Sequence, residues 1–132
     1  MTEATPTDDT APVLLVDDEP ELLEALSRLL TARDIRVVTA MSGRAAMEIA
    51  ARTTPRVLIT DIFMPDGDGL ELLRYIRHRH PDVPVIAMSG GGSTGKTEML
   101  EAAHKLGARE ILYKPFNGER LFAAIRTVLA AP

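Results

Sequence analysis

The chain contains no cysteine among its 132 residues. This absence excludes a disulfide-bonded scaffold, a zinc site with cysteine ligands and a catalytic thiol. A chain without cysteine also suits the reducing environment of the cytoplasm, where disulfides are rare. We therefore expect a cytoplasmic protein whose fold is held together by a hydrophobic core.

Long apolar runs and targeting signals are also missing. A transmembrane helix needs about 20 mostly apolar residues, and the sequence has no such run. The segment Met1–Ala11 lacks the basic and apolar regions of a signal peptide. It is rich in Thr, Pro and acidic residues, so we expect a disordered tail at residues 1–11. These absences predict a protein with no membrane partner.

Basic residues are not in excess, since 15 Lys and Arg stand against 19 Asp and Glu for a formal net charge of −4. Nucleic-acid-binding domains usually carry a clustered basic excess, so we expect no nucleic acid as a partner. Apolar residues at 45% and charged residues at 26% are typical of globular proteins. The length fits one compact domain, which we assign to residues 12–132.

From Pro12 onward, short continuous apolar runs alternate with stretches of helical period. Such runs are typical of strands buried on both faces. The expected strands are Val13–Val16, Arg36–Ala40, Val57–Thr60, Val83–Met88 and Glu110–Tyr113. The expected helices are Glu19–Ala32, Ser42–Ala51 with Ser42 as its N-cap, Leu70–His80, Met99–Gly107 and Leu121–Leu129. This alternation predicts an α/β fold with a parallel sheet and helices on both faces.

Polar side chains follow four of the five expected strands. Asp17 and Asp18 follow the first strand, Asp61 the third, Ser89 the fourth and Lys114 the fifth. In parallel sheets, functional residues collect at the carboxyl ends of the strands. Three carboxylates at one edge need a compensating cation or must take up protons, and Mg²⁺ is a cation that prefers such oxygen ligands. A carboxylate nucleophile, a metal, a hydroxyl and a lysine are the groups that formation of an aspartyl-phosphate requires.

The sequence resembles the receiver domains of two-component response regulators over roughly Pro12–Leu129. The resemblance is carried by four motifs: Leu15-Val16-Asp17-Asp18-Glu19-Pro20, Thr60-Asp61-Ile62-Phe63-Met64-Pro65-Asp66-Gly67-Asp68-Gly69, Met88-Ser89-Gly90 and Lys114-Pro115-Phe116. It implies a flavodoxin-like sheet with strand order 2-1-3-4-5. It also implies a phosphoprotein whose acidic residues bind Mg²⁺.

The resemblance implies a role for each site residue. Asp61 would accept a phosphoryl group from a histidine kinase or a histidine phosphotransfer protein. Mg²⁺ would be held by Asp18, by Asp17 mostly through water, by Asp61 and by the backbone carbonyl of Phe63. Ser89 and Lys114 would each bind a phosphoryl oxygen, and the Lys114–Pro115 peptide bond is expected to be cis.

The resemblance also bears on the output of the protein. It implies a signalling domain rather than an enzyme, although such a domain could promote its own phosphorylation and dephosphorylation. Because the receiver pattern fills the sequence, we expect a stand-alone receiver without an output domain. It would signal through contact between an effector protein and the surface formed by helix four, strand five and helix five. The charged residues of that surface are Lys105, Arg109, Glu110, Glu119 and Arg120.

One motif favours a different function. The run Gly90–Thr97 matches the phosphate-binding loop G-x-x-x-x-G-K-[ST] and lies between an expected strand and an expected helix. Too little chain follows it for a nucleotide-binding core, and an NTPase would leave Asp17, Asp18 and Lys114 unexplained. We therefore interpret the run as a mobile connection. A third alternative is an interaction module with a vestigial acidic site, which the complete set of site residues argues against.

Two positions depart from the receiver pattern. Many receivers have an aromatic residue three positions before the lysine, where this chain has Ile111, with Tyr113 two positions further on. We therefore expect switching to rely on the loop after Ser89 and on helix four. Phe63 lies two positions after Asp61 and offers no hydrogen bond to an attacking water. It therefore predicts slow loss of the phosphoryl group.

Overall fold

The computed structural model describes residues 10–64, 69–90 and 96–130. The strands are β1 (Val13–Val16), β2 (Val37–Ala40), β3 (Val57–Asp61), β4 (Val85–Ser89) and β5 (Ala108–Tyr113). The helices are α1 (Pro20–Thr31), α2 (Gly43–Arg52), α3 (Gly69–Arg79), α4 (Lys96–Lys105) and α5 (Gly118–Ala130). Strands and helices alternate along the chain, as the sequence predicts.

The five strands form one parallel sheet in the order β2-β1-β3-β4-β5. The predicted α/β fold and its flavodoxin-like strand order are confirmed. Because every strand runs the same way, the carboxyl ends of β1, β3, β4 and β5 lie along one edge. The sheet therefore places the residues that end or follow these strands in adjacent positions.

Each face of the sheet buries its own hydrophobic core. In β1, Leu14 and Val16 pack on the face covered by α2, α3 and α4, whereas Val13 and Leu15 pack on the face covered by α1 and α5. All four side chains are at most 1% exposed. Burying an aliphatic side chain contributes about 1.5–3 kcal/mol, so both faces hold the central strands in place beneath the candidate site.

Local signals in the sequence place some element ends correctly and others only approximately. Ser42 is the N-cap of α2, where its Oγ accepts a hydrogen bond from the Ala45 N–H at 3.0 Å. Gly107 follows α4 with a φ of +107°, a conformation that favours glycine. Several boundaries differ by one to three residues. Among them, α4 begins at Lys96 rather than Met99, α5 at Gly118 rather than Leu121, and β5 at Ala108 rather than Glu110. These weakly amphipathic ends have no clear periodic signal, which is why pattern reading misses them.

The pairing of β4 with β5 contains one irregularity. Val85 pairs with Ala108 and Ile86 pairs with Glu110, so Arg109 has no partner residue on β4. One extra residue in one of two paired strands is a β-bulge, which redirects the side chain that it carries. The pairing is regular again from Ala87 and Ile111 to the ends of both strands.

Gly69, the first residue of α3, is packed directly against the backbone after β3. A Cβ atom at this position would lie 2.5 Å from the Ile62 carbonyl oxygen and 2.8 Å from the Ile62 Cα. Real Cβ atoms do not approach backbone this closely, so the position requires glycine or a shift of the chain. This contact fixes the start of α3 close to the segment that follows Asp61.

Three of the sequence expectations fall outside the described residues. They concern most of the tail at residues 1–11, the turn at residues 65–68, and the Gly-rich run, of which residues 91–95 are not described. Within the described part of the chain, no helix has the length and apolar character needed to cross a bilayer.

Candidate functional site

The sheet brings the predicted site residues to one edge. Asp17 directly follows β1, Asp61 ends β3, Ser89 ends β4, and Lys114 follows β5. Their strands are neighbours, with Asp61 opposite Met88 and Ser89 opposite Tyr113. The placement therefore follows from the buried strands, because each of these residues ends a strand or directly follows one.

The Lys114 ammonium lies between two buried carboxylates. Its Nζ donates to Asp17 Oδ2 at 2.7 Å and to Asp61 Oδ2 at 3.1 Å. The side chain of Asp17 is fully buried, and those of Asp61 and Lys114 are only 7% and 17% exposed. Pairing supplies the opposite charge that buried carboxylates require. Lys114 thus serves as the counter-ion of the acidic cluster in this structure.

Backbone groups hold the two carboxylates from the other side. The Glu19 N–H donates to Asp17 Oδ1 at 2.9 Å, and the Phe63 N–H donates to Asp61 Oδ1 at 2.8 Å. Each carboxylate therefore has one oxygen on a backbone N–H and the other on Lys114. This arrangement orients Asp61 and leaves its Oδ2 reachable when Lys114 moves aside.

Burial and pairing shift the protonation of this cluster in defined directions. Burial raises the pKa of Asp61 above its ordinary value, although the Phe63 N–H and the Lys114 charge act in the opposite direction. For Lys114, burial alone would lower the pKa, but the contacts with Asp17 and Asp61 outweigh it and raise the pKa above its ordinary value. Lys114 is therefore cationic at neutral pH.

Three carboxylates could hold a metal ion. Asp17, Asp18 and Asp61 each offer an oxygen, and these atoms lie within 4.8 Å of one another. Clustered carboxylate oxygens are the ligand chemistry of Mg²⁺. The residues present fit that ion, because the cluster is acidic and Asp18 is only partly buried, which leaves an approach from solvent. The predicted contribution of the Phe63 carbonyl stays a prediction.

Ser89 lies beside the cluster as a buried hydroxyl residue with 2% exposure. Its Oγ donates a long hydrogen bond of 3.3 Å to the Gly90 carbonyl, and its own carbonyl accepts from the Lys114 N–H at 2.7 Å. The Lys114–Pro115 peptide bond is cis, as expected. The backbone therefore couples the end of β4 to the lysine of the site.

Sequence reasoning assigned no role to Glu19, which takes part in two contacts. Its N–H holds Asp17, and its Oε1 lies 3.5 Å from Lys114 Nζ while its side chain is 63% exposed. Its position directly after Asp17 and Asp18 was the only available signal. Glu19 adds a solvent-facing acidic group at the mouth of the site.

Comparison with known proteins agrees with this geometry. Residues 13–126 match the response regulator receiver domain. The chain belongs to the response-regulator receiver-domain family. Phosphorylation and Mg²⁺ binding are general features of these domains in two-component systems, and receiver domains interact with histidine kinases or phosphotransfer proteins.

Among curated relatives, the chain is 34% identical over 129 residues to the C4-dicarboxylate transport transcriptional regulatory protein DctD of Pseudomonas aeruginosa. That alignment covers 98% of this chain and 27% of the relative. The chain is also 36% identical over 118 residues to the transcriptional regulatory protein KdpE of Mycobacterium tuberculosis. This second alignment covers 89% of this chain and 50% of the relative. The chain thus spans about a quarter to a half of these relatives, so the expected stand-alone character and absence of nucleic-acid binding stay predictions.

Solved structures show the same fold. A response regulator receiver domain protein from Clostridium thermocellum superposes with a TM-score of 0.80 at 32% identity, covering 90% of this chain and 94% of that one. A CheY-like receiver domain protein from Methanospirillum hungatei has a TM-score of 0.81, with 89% and 91% covered. At 24% identity the second comparison supports the fold alone.

Proposed function

We propose that Asp61 is the phosphoacceptor of this receiver domain, with a histidine kinase or a histidine phosphotransfer protein as donor. The observation that supports this most directly is the Lys114 ammonium between Asp17 Oδ2 and Asp61 Oδ2. A buried carboxylate held by a backbone N–H and faced by a mobile cation is a suitable oxygen nucleophile. The other site residues at this edge of the sheet would then assist the reaction at Asp61 Oδ2.

The chemical step follows from the groups present. Asp61 Oδ2 attacks the phosphorus of a phosphohistidine, a phosphorus–oxygen bond forms, and the phosphorus–nitrogen bond breaks with its electron pair left on the imidazole nitrogen. Lys114 can stay paired with the negative charge as it passes to the phosphoryl oxygens, because its long side chain already contacts the attacking carboxylate. Ser89 Oγ makes a single long bond among the residues that the structure describes, and it is available to donate to a phosphoryl oxygen.

Asp17, Asp18, Asp61 and the Phe63 carbonyl are the proposed ligands of Mg²⁺. When bound, the ion would offset the negative charge that accumulates where phosphoryl and carboxylate oxygens meet. Asp18 suits this role best, since it is the member of the cluster that is only partly buried. Asp17, which is fully buried and paired with Lys114, suits a role through an intervening water.

The proposed output is contact with an effector protein in the cytoplasm. The surface would be formed by α4, β5 and α5, where Arg120 bridges two elements by donating to Glu110 Oε1 at 3.3 Å and to the Ile111 carbonyl at 3.1 Å. A phosphoryl group adds charge and three acceptor oxygens at Asp61, which draws Ser89 and Lys114 toward it. Because both residues end or follow the strands next to this surface, their movement would alter it.

The test is transfer of a phosphoryl group to the purified chain. Incubation with a small-molecule phosphodonor and Mg²⁺ should add one phosphoryl group, detected by intact-mass spectrometry, and Asp61→Asn should abolish the addition. Asp82→Asn, which changes an exposed aspartate in the turn before β4, is the matched control and should be labelled like the wild type. Labelling of Asp61→Asn to the wild-type level would refute the assignment of the acceptor.

A further inference from the structure

A cationic groove lies at the opposite end of the sheet from the candidate site. It encloses about 520 Å³ between the last turns of α3 and α4 and the first residues of β4 and β5. Its floor is apolar and includes the buried side chains of Ile76 and Val85, with Val83 and Leu106 beside them. Val85 begins β4 and Ser89 ends it, so about 13 Å of strand separates the groove from the Ser89 end of the sheet, where the candidate site lies.

Five basic side chains line this groove. They are Arg77, His80, His104, Lys105 and Arg109. Among the residues that the structure describes, no carboxylate lies within ion-pair distance of the three permanent cations, Arg77, Lys105 and Arg109. Three neighbouring cations without carboxylate partners leave a positive field at a concave surface, where it can attract an anion.

Hydrogen bonds to backbone carbonyls position part of this lining. Arg77 Nη1 donates to the Lys105 carbonyl, which ties the end of α3 to the end of α4. His80 Nε2 lies 2.8 Å from the Ala50 carbonyl and His104 Nδ1 lies 3.2 Å from the Ala108 carbonyl. Since a carbonyl only accepts, each of these ring nitrogens carries a proton. Arg77 and the two imidazoles are therefore held around the groove.

Arg109 is a cation of the groove whose position is not explained by a helix end. Basic residues in the last turn of a helix, such as Arg77 and Lys105, are expected to complement the helix dipole. Arg109 lies on β5, has no partner residue on β4 and lines the groove. The register shift lies directly after the first residue pair of these strands, and bulges commonly redirect a side chain beside a functional site.

The charges also favour an anion once the helix ends are included. Each helix carboxyl end carries about half a unit of negative charge. The ends of α3 and α4 therefore offset about one of the three permanent positive charges. The groove keeps a net positive charge even with both imidazoles neutral.

We propose that this groove binds an organic phosphate, in which a multiply charged phosphoryl group is joined to an apolar body. The guanidinium groups of Arg77 and Arg109 match the geometry of phosphoryl oxygens, and Lys105 adds a point charge. The partly exposed side chains of Val83 and Leu106 offer apolar contact for the body of the ligand. Pockets of about 300–1,000 Å³ with apolar walls and a few polar groups are typical of small-molecule sites. The proposal is independent of phosphorylation at Asp61.

The test is titration calorimetry of the full chain with ATP as the probe. EDTA is present, so that no divalent ion can draw ATP to the acidic cluster. ATP should bind at least about tenfold more tightly than pyrophosphate or adenosine, and it should shift the amide resonances of residues 76–85 and 104–109. Arg109→Gln and Lys105→Gln should each weaken binding about tenfold. Arg52→Gln, which removes an exposed arginine at the end of α2, should leave binding within about twofold.

Several outcomes would contradict this inference. Absence of ATP binding, or equal binding of ATP and pyrophosphate, would exclude an organic phosphate site. If Arg52→Gln weakened ATP binding as much as Arg109→Gln does, general charge attraction would explain the binding instead. If Lys96→Ala lost ATP binding while Arg109→Gln kept it, the nucleotide would be assigned to the Gly90–Thr97 run. If a glutamate-rich peptide bound more tightly than ATP, the groove would be a site for a protein partner.

Discussion

Lys114 Nζ lies 2.7 Å from Asp17 Oδ2, in an ion pair that joins residues 97 positions apart in the sequence. Asp17 is fully buried, so its carboxylate depends on this cation for charge balance in the absence of a metal ion. The same ammonium contacts Asp61. One side chain therefore links the stability of the domain to the charge state of the proposed phosphoacceptor, and this link can be measured.

Replacement of Lys114 by methionine should destabilise the metal-free domain by about 3 kcal/mol, because it leaves two buried carboxylates without a counter-ion. The measurement is urea unfolding in EDTA. Adding Asp61→Asn to Lys114→Met should recover part of the loss, and so should Mg²⁺.

The matched control is Arg28→Met. Arg28 pairs with Glu24 at 2.8 Å, a similar distance, but these side chains are 79% and 66% exposed. The control should lose less than about 0.5 kcal/mol. Equal losses in the two variants would mean that burial does not govern the strength of the Lys114 pair.

Asp61→Asn should stabilise the metal-free domain near neutral pH. Burial raises the pKa of Asp61, so the folded protein binds a proton there more readily than the unfolded chain. The stability gained from that proton is complete at low pH and is lost as pH rises through the folded-state pKa. The advantage of the variant should therefore shrink as pH falls.

Denaturant unfolding of both proteins between about pH 4 and pH 7 measures this effect, in which each unit of pKa shift corresponds to about 1.4 kcal/mol. Asp82→Asn, at an exposed position, provides the control. A stability difference that grows toward low pH would contradict the sign of the shift.

Phe63→Asn should shorten the lifetime of the phosphorylated domain. Phe63 is partly buried, its N–H holds Asp61 and its side chain cannot hydrogen-bond an attacking water. An amide at this position could orient that water. We expect loss of the phosphoryl group to become about tenfold faster, which corresponds to about 1.4 kcal/mol of barrier. Phe63→Leu is the apolar control, and lifetimes that match between wild type and Phe63→Asn would disprove the role of this side chain.

Gly69→Ala should destabilise the fold by about 1–3 kcal/mol, because its Cβ would lie 2.5 Å from the Ile62 carbonyl oxygen. Gly118→Ala is the matched control at the start of α5. Its Cβ would meet only side-chain atoms, at 3.6 Å and beyond, and it should be neutral or stabilising by up to about 1 kcal/mol. Thermal unfolding of both variants tests the contrast, and a stable Gly69→Ala protein would show that the backbone at Ile62 can yield.

Switching should depend on Ser89 more than on Tyr113. Ile111 is 8% exposed and already packed in the core, whereas Tyr113 is 60% exposed at the end of an edge strand. After phosphorylation, Ser89→Ala should lose most of the amide shift changes in α4 that the wild type shows, and Tyr113→Phe should keep them. If Ser89→Ala kept these amide shift changes, switching would depend on β5 instead of Ser89.

The sequence was sufficient to predict the strands and most of the site, because both follow from local patterns. The run Val13–Val16 is apolar throughout and forms β1 with the predicted bounds, and Ser42 caps α2 as its residue type suggests. Asp17, Asp61 and Lys114 could be grouped at one edge because each comes directly after or at the end of a buried run.

Contacts between residues that are far apart in the sequence were harder to predict from it. The predicted role of Lys114 was to bind a phosphoryl oxygen, and its pairing with Asp17 emerges only when side-chain positions are known. The bulge at Arg109 has no signature in the sequence, since it depends on the register of β5 against β4. The cationic groove depends on that register as well, and on the meeting of two helix ends.

The acidic cluster and the cationic groove lie at opposite edges of the same parallel sheet, the cluster at the ends of β1 and β3 and the groove at the starts of β4 and β5. Such a separation gives the two ends of the domain opposite electrostatic potentials, which act on a charged partner before any contact is made. A domain with this polarity is turned as it diffuses toward a charged surface, so first encounters favour one end over the other. The strands thus set the direction of approach as well as the position of the site, and association rates with partners that are attracted to one end should fall as added salt shortens the range of the field.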